Sequence, residues 1–185
     1  MSKPNINLSE WVDVLDETEV VSMSLGELIE SSAAKYPNSE ALVYSNQPDV
    51  KDVRWTYADL NNMSSYLAKA FIDIGLNPGD TVGVWGPNHP EWILTEYALA
   101  KAGLRLVTLN PLYKEKELVF ALSTVSAAGL IHADIIGGCE SIDIINKIKN
   151  DISSLKHVYS FHKGLVDLIE KGKNSTTELP KVNPD

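Results

Sequence analysis

With 185 residues, 44% hydrophobic and 22% charged, the chain has the make-up of an ordinary globular protein, long enough for one domain or part of a larger one. Sixteen Lys and Arg against 25 Asp and Glu leave a formal charge of −9, which argues against nucleic acid or an anionic membrane surface as the main partner. A single cysteine, Cys139, and four histidines exclude a disulfide framework and a thiolate zinc site, and no run approaches the roughly 20 apolar residues of a membrane span.

Residues 1–22 are an acidic, polar lead-in with neither the apolar h-region of a secretory signal nor the Arg-rich pattern of a presequence. No targeting signal is read there, and an intracellular protein is expected. Ser24-x-x-Glu27 then has the form of a capping box, in which a hydroxyl and a carboxylate satisfy N–H groups that a helix start leaves open. Leu25, Leu28, Ile29 and Ala33 share one face up to Tyr36-Pro37, which predicts a helix. Ala41 to Tyr44 and Val53 to Trp55 flank the turn-like Asn46-Gln47-Pro48-Asp49 and predict a hairpin. Thr56 and Asp59 repeat the capping pattern, with Asp as a shorter stand-in for Glu. Leu60, Met63, Leu67, Phe71 and Ile74 recur at helical spacing as one apolar stripe. Gly75 supplies a left-handed C′ residue, and Asn77-Pro78-Gly79-Asp80 is a tight turn.

The stretch TVGVWGPNHPEWILTEYALAKAGLRLVTLNP, Thr81 to Pro111, places two apolar runs around a helical segment. Thr81 to Trp85 reads as a strand ended by the corner Gly86-Pro87-Asn88-His89. Pro90 suits the first helical position, where its missing N–H leaves nothing unpaired. Glu91 sits where the helix dipole favours an anion, Lys101 is a last-turn cation and Gly103 caps the end. Leu104 to Leu109 is the second strand, which completes a βαβ unit. Lys114 to Val125 is amphipathic through Leu118, Ala121, Leu122 and Val125, and Ala128 to His132 is a further strand. Ile142, Ile145 and Ile148 mark a helix, Val158 to Phe161 a short strand, and Leu165 to Lys171 a last helix closed by Gly172. Residues 173–185 read as a polar linker. The alternation predicts an α/β layered fold with a mostly parallel sheet and flanking helices, whose ligands bind beyond the carboxyl ends of the strands.

Familiar nucleotide and hydrolase signatures are missing. The sequence contains no G-x-G-x-x-G, no G-x-x-x-x-G-K-[ST] and no G-x-S-x-G. His132-x-Asp134, near Cys139-Glu140, offers metal-ligating types at a spacing that matches no defined site, so it is read as surface or strand-end placement. His89 is read as a solvated loop histidine, and no catalytic role is assigned to it.

Residues Trp55 to Leu122 resemble the N-terminal segment of the acyl-CoA synthetases, members of the adenylate-forming superfamily. An aromatic Thr-Tyr-x-x-Leu opens a long helix that ends in Gly-Leu-x-x-Gly-Asp. A strand, a Pro-Asn corner, an Ala-Gly helix end and Asn110-Pro-x-Tyr-x-x-x-Glu-Leu118 follow in order. Trp85-Gly86-Pro87-Asn88 and Asn110-Pro111-Leu112-Tyr113 are most similar to the medium-chain fatty-acid–CoA ligase branch. The resemblance implies that residues 23–172 are an N-terminal α/β subdomain of an AMP-binding domain. It also implies a mitochondrial or cytoplasmic location.

The implied reaction has two steps: a fatty acid and ATP with magnesium give an acyl-adenylate and pyrophosphate, and CoA then displaces AMP. Donors must offset the charge that builds around phosphorus, and the family places them on a Ser/Thr/Gly-rich loop, an acidic magnesium ligand and a C-terminal lysine. None of these is in the sequence. Residues 181–185 resemble the approach to the phosphate-gripping loop, so the chain reads as a truncated ligase that makes no adenylate alone. No catalytic, ATP-, magnesium- or CoA-binding residue is assigned. Asn88 and Trp92 are the two candidate substrate-binding residues, bordering an acyl or pantetheine path. The structural alternative is that Asn88 fixes the turn or caps the helix at Pro90 while Trp92 packs on the subdomain. Asn110, Tyr113 and Glu117 have a similar choice between a second site and a strand end. A catalytically silent scaffold protein and an unrelated flavodoxin-like nucleotide-binding domain remain open as functions. Exposed apolar surface and self-association are expected of the isolated segment.

Overall fold

The structure, a computed structural model, describes residues 21–45 and 52–183. Most of the lead-in, the expected turn at 46–49 and the last two residues lie outside them. The first helix, α1 (Leu25–Lys35), begins at a Ser24–Glu27 capping box with both reciprocal bonds made. Of its expected face only Ile29 and Ala33 are buried, together with Gly26, while Leu25 and Leu28 stay exposed. Strands β1 (Glu40–Tyr44) and β2 (Val53–Thr56) pair antiparallel as the expected hairpin. Thr56 and Asp59 cap α2 (Tyr57–Asp73), and the Thr56 hydroxyl donates to Asp59 Oδ2 at 2.7 Å. Asp is long enough for the job. Gly75, at φ +98°, turns the chain out of the helix where a side chain would be strained.

The centre is a four-stranded parallel sheet in the order β4 (Arg105–Leu109), β3 (Thr81–Trp85), β5 (Gly129–His132), β8 (His157–Ser160). Parallel strands covered on both faces must be apolar nearly throughout, and every residue of β3 and β5 is buried. Alternation sends Val82, Val84 and Ile131 to one face, against Leu67 and Phe71 of α2, Leu94 and Ala98 of α3 (Pro90–Lys101) and Leu168 of α6 (Lys163–Lys173). The other face sends Trp85 and Leu130 against Leu118 and Leu122 of α4 (Glu115–Thr124) and Ile145 and Ile148 of α5 (Ser141–Ile148). Burying each such Leu, Ile or Phe is worth about 1.5–3 kcal/mol, so these two layers dominate the fold.

The sequence reading missed β6 (Ile135–Ile136) and β7 (Cys139–Glu140), a two-residue antiparallel pair turned by Gly137 and Gly138 at φ +60° and +79°. Four other expectations change. Ile142 is exposed, so α5 buries only two of its three isoleucines. Gly172 does not close α6 but lies inside it, where a Cβ would stand 1.8 Å from the Tyr66 carbonyl oxygen of α2. Lys101 is the expected last-turn cation of α3, but its side chain, 2% exposed, turns inward. Its Nζ donates to Asn61 Oδ1 and Ser65 Oγ, both at 2.7 Å, with Glu30 at 3.4 Å. Burial lowers its pKa, opposed by the Glu30 carboxylate. The stretch after α6 runs back along the helical layer, where Thr177 donates to Asp73 and Leu179 touches the first core.

Candidate functional site

Strand order places the site. From β3 the chain crosses to β4 on one side and then returns to β5 on the other, which makes the β3/β5 boundary a topological switch point. Ligands of open parallel sheets bind at the carboxyl ends of strands beside such a point. Here the ends are tied to one another: Ala133 N donates to Trp85 O at 2.9 Å, and Phe161 N to His132 O at 2.8 Å. Gly86 follows β3 where a Cβ would meet Ala133 Cβ at 2.8 Å and Phe161 Cε2 at 3.0 Å. Close approach, not backbone conformation, therefore demands glycine at the Trp-Gly-Pro-Asn corner.

Beyond Gly86 the chain enters α3. Its N-cap is His89, which makes no side-chain cap bond, and Asn88 is exposed with no side-chain partner among the described residues. The expected Asn cap is thus absent, because the turn puts Asn88 one residue before the N-cap position. Trp92 is half-buried and packs on the first core cluster. Both residues also border an open groove of about 210 Å³ between β1 and the start of α3, with Leu42, Tyr44, His89 and Ile93. Ligand pockets span about 300–1,000 Å³, so the groove is smaller than a complete ligand pocket.

His89 is not a solvated loop residue. Its side chain is 14% exposed and pairs through Nδ1 with the Glu91 carboxylate, itself 21% exposed. Tyr44 and Phe161 flank the imidazole at centroid distances of 5.4 and 5.8 Å, and the His162 ring stands edge-on at 5.1 Å. Asp134, just past β5, accepts from His162 Nδ1 at 2.7 Å and from the His162 backbone N–H at 3.2 Å. Burial would raise the Asp134 carboxyl, but these bonds and one from Ser160 hold it below its usual range. The ends of β3, β5 and β8 thus bring His89, Glu91, Asp134 and His162 together. Sequence reasoning missed this cluster, because its members are far apart in the chain and only the strand order joins them.

His132 does not join the cluster. It is buried, its Nδ1 lies 2.7 Å from Ser141 Oγ, and burial lowers its pKa. Cys139 and Glu140 are exposed. The second-site candidates are structural. Asn110 Oδ1 accepts from Leu112 N, Glu117 accepts from Lys114 N, and Tyr113 packs on the second core cluster.

A four-stranded parallel sheet with helices on both faces defines an α/β layered protein. The chain belongs to the AMP-binding enzyme family, which it matches over residues 29–185. It is 35% identical over 138 residues to YngI of Bacillus subtilis, covering 75% of this chain and 24% of that protein. It is also 35% identical over 115 residues to the rat mitochondrial medium-chain acyl-CoA ligase ACSF2, covering 62% of this chain and 18% of the ligase. The chain therefore spans about a quarter or less of the length of these relatives. Among solved structures, the long-chain-fatty-acid-CoA ligase FadD1 of Archaeoglobus fulgidus superposes with a TM-score of 0.77 at 21% identity, over 90% of this chain and 33% of that one. The N-terminal domain of FACL13 from Mycobacterium tuberculosis gives 0.72 at 23% identity, over 86% and 38%. Likeness at this identity establishes the fold, an α/β architecture shared with N-terminal domains of acyl-CoA ligases.

Proposed function

We propose that this chain supplies the N-terminal scaffold of a fatty-acid–CoA ligase, and that Asn88 and Trp92 form part of the wall of its acyl or pantetheine path. The observation that carries this reading is the family match over residues 29–185, together with medium-chain ligase relatives of which the chain spans less than a quarter. The side chains at the sheet edge do not suit the phosphates of ATP. Two carboxylates, Glu91 and Asp134, would repel a triphosphate, and no glycine-rich cradle of backbone N–H groups stands beside them. Phosphate handling is accordingly assigned to ligase sequence that these 185 residues do not contain, and no reaction step is assigned to this chain.

Two proteins test the proposal: the 185-residue chain, and a chimera in which it replaces the matching part of rat ACSF2. Each is assayed for pyrophosphate release with octanoate, ATP, magnesium and CoA. The chimera is expected to turn over while the chain alone stays at background. A folded, soluble chimera that stays silent beside an active parent enzyme would favour the silent-scaffold alternative.

A further inference from the structure

We infer that His89, Glu91 and His162 form a binding site for one divalent transition-metal ion of the zinc class, with Asp134 as the carboxylate that orients His162. One possible ligand atom from each of the three lies within 4.8 Å of the other two. Around a tetrahedral ion with bonds of about 2.0–2.1 Å, neighbouring donors are separated by about 3.3–3.5 Å. His89 Nδ1 and the Glu91 carboxylate are in direct contact, so an ion would part them, while the exposed His162 side chain would rotate inward to complete the set. Two of the ligands are already confined: His89 lies between Tyr44 and Phe161, and Glu91 is in the first turn of α3. His162, 62% exposed, stands at the mouth, where an ion can enter from solvent.

The arrangement of His162 is the second, independent observation. Asp134, as a carboxylate, only accepts, so the ring donates Nδ1–H to it at 2.7 Å, and in the neutral imidazole Nε2 is then the nitrogen with a lone pair for a metal. A carboxylate that fixes the tautomer and aim of an imidazole in this way is the usual outer partner of a ligating histidine. The backbone N–H of His162 also donates to Asp134 Oδ2, which locks the carboxylate to the β8 end. A plain His–Glu pair beside α3 would need neither His162 nor Asp134. Two imidazole nitrogens and one carboxylate favour zinc, cobalt, nickel or copper over magnesium, which prefers an all-oxygen octahedron. The site is therefore chemically distinct from the magnesium that accompanies ATP, and it stands whether or not the ligase reading does. Three protein ligands leave a fourth position for water or another small ligand.

Cobalt(II) and zinc are titrated into the chelator-treated 185-residue chain, with visible ligand-field absorption and calorimetry as readouts. One ion per chain, a tetrahedral cobalt spectrum displaced by zinc, and no displacement by excess magnesium are expected. Asp134→Asn should weaken zinc binding by about 10–100-fold. His162→Ala, at an exposed position that leaves the fold intact, should weaken it at least as much and abolish the rise in melting temperature that zinc gives the parent chain. His157→Ala should change nothing. Absence of one-to-one binding, ready displacement by magnesium, or an affinity unchanged in both His162→Ala and Asp134→Asn would each overturn the assignment.

Discussion

At the scale of single residues, close approach and burial decide what the sequence edge tolerates. Gly86→Ala would press a methyl group into Ala133 and Phe161. Overpacking of this kind costs about 1–3 kcal/mol, and urea unfolding should show a loss in that range. An unchanged midpoint would mean that the three strand ends can spread. His132 gives a pH dependence with a definite sign. Burial holds its folded pKa below the ordinary 6.5, so below that pH the unfolded chain takes up a proton that the folded chain refuses. Stability is then full above about pH 6.5 and falls as the pH drops from there towards the depressed folded value. His157, lowered by burial and by Lys156, acts in the same direction. Urea midpoints at pH 7.5 and 5.5 should differ more in the parent than in His132→Asn, and equal slopes would contradict this. The residue types of the site were visible in the sequence, but their partnership was not. Glu91 suggested a helix-dipole anion and His89 a loop residue, whereas the fold brings in Asp134 and His162 from just past the ends of two other strands.

At the scale of elements, local signals carried far. Both capping boxes, the α2 stripe, the hairpin and the order of strands and helices from β3 to α6 follow from spacing and from Gly and Pro positions. The failures have physical causes. β6 and β7 hold two residues each, too few for any period to register. Lys101 ends a helix, which suggested a dipole partner, but helix packing decided that it is buried against α2. Gly172 looked like a C-cap because glycine usually marks helix ends, yet the contact between α2 and α6 uses it for closeness. Gly172→Ala separates the two effects. Helix propensity alone favours Ala by about 1 kcal/mol, while a Cβ placed 1.8 Å from the Tyr66 oxygen forces the two helices apart. Net destabilisation beyond the usual 1–3 kcal/mol of overpacking is expected in urea, and a stabilised variant would contradict this packing.

At the scale of the whole molecule, the described surface leaves Leu112, just before α4, 81% exposed and Phe120, on α4, 74% exposed. We expect the 185-residue chain to self-associate through this region. Sedimentation velocity should show a concentration-dependent increase that Phe120→Ser with Leu112→Ser suppresses, and a concentration-independent monomer would refute it. The proposed function implies a division of labour, in which these residues would build the α/β layer and part of a ligand wall while phosphate chemistry would fall to other ligase sequence. Mass spectrometry for octanoyl-AMP, after incubating the purified chain with octanoate, ATP and magnesium, tests that claim most directly. The account predicts none above the protein-free blank; accumulation of octanoyl-AMP in proportion to the chain added would contradict it.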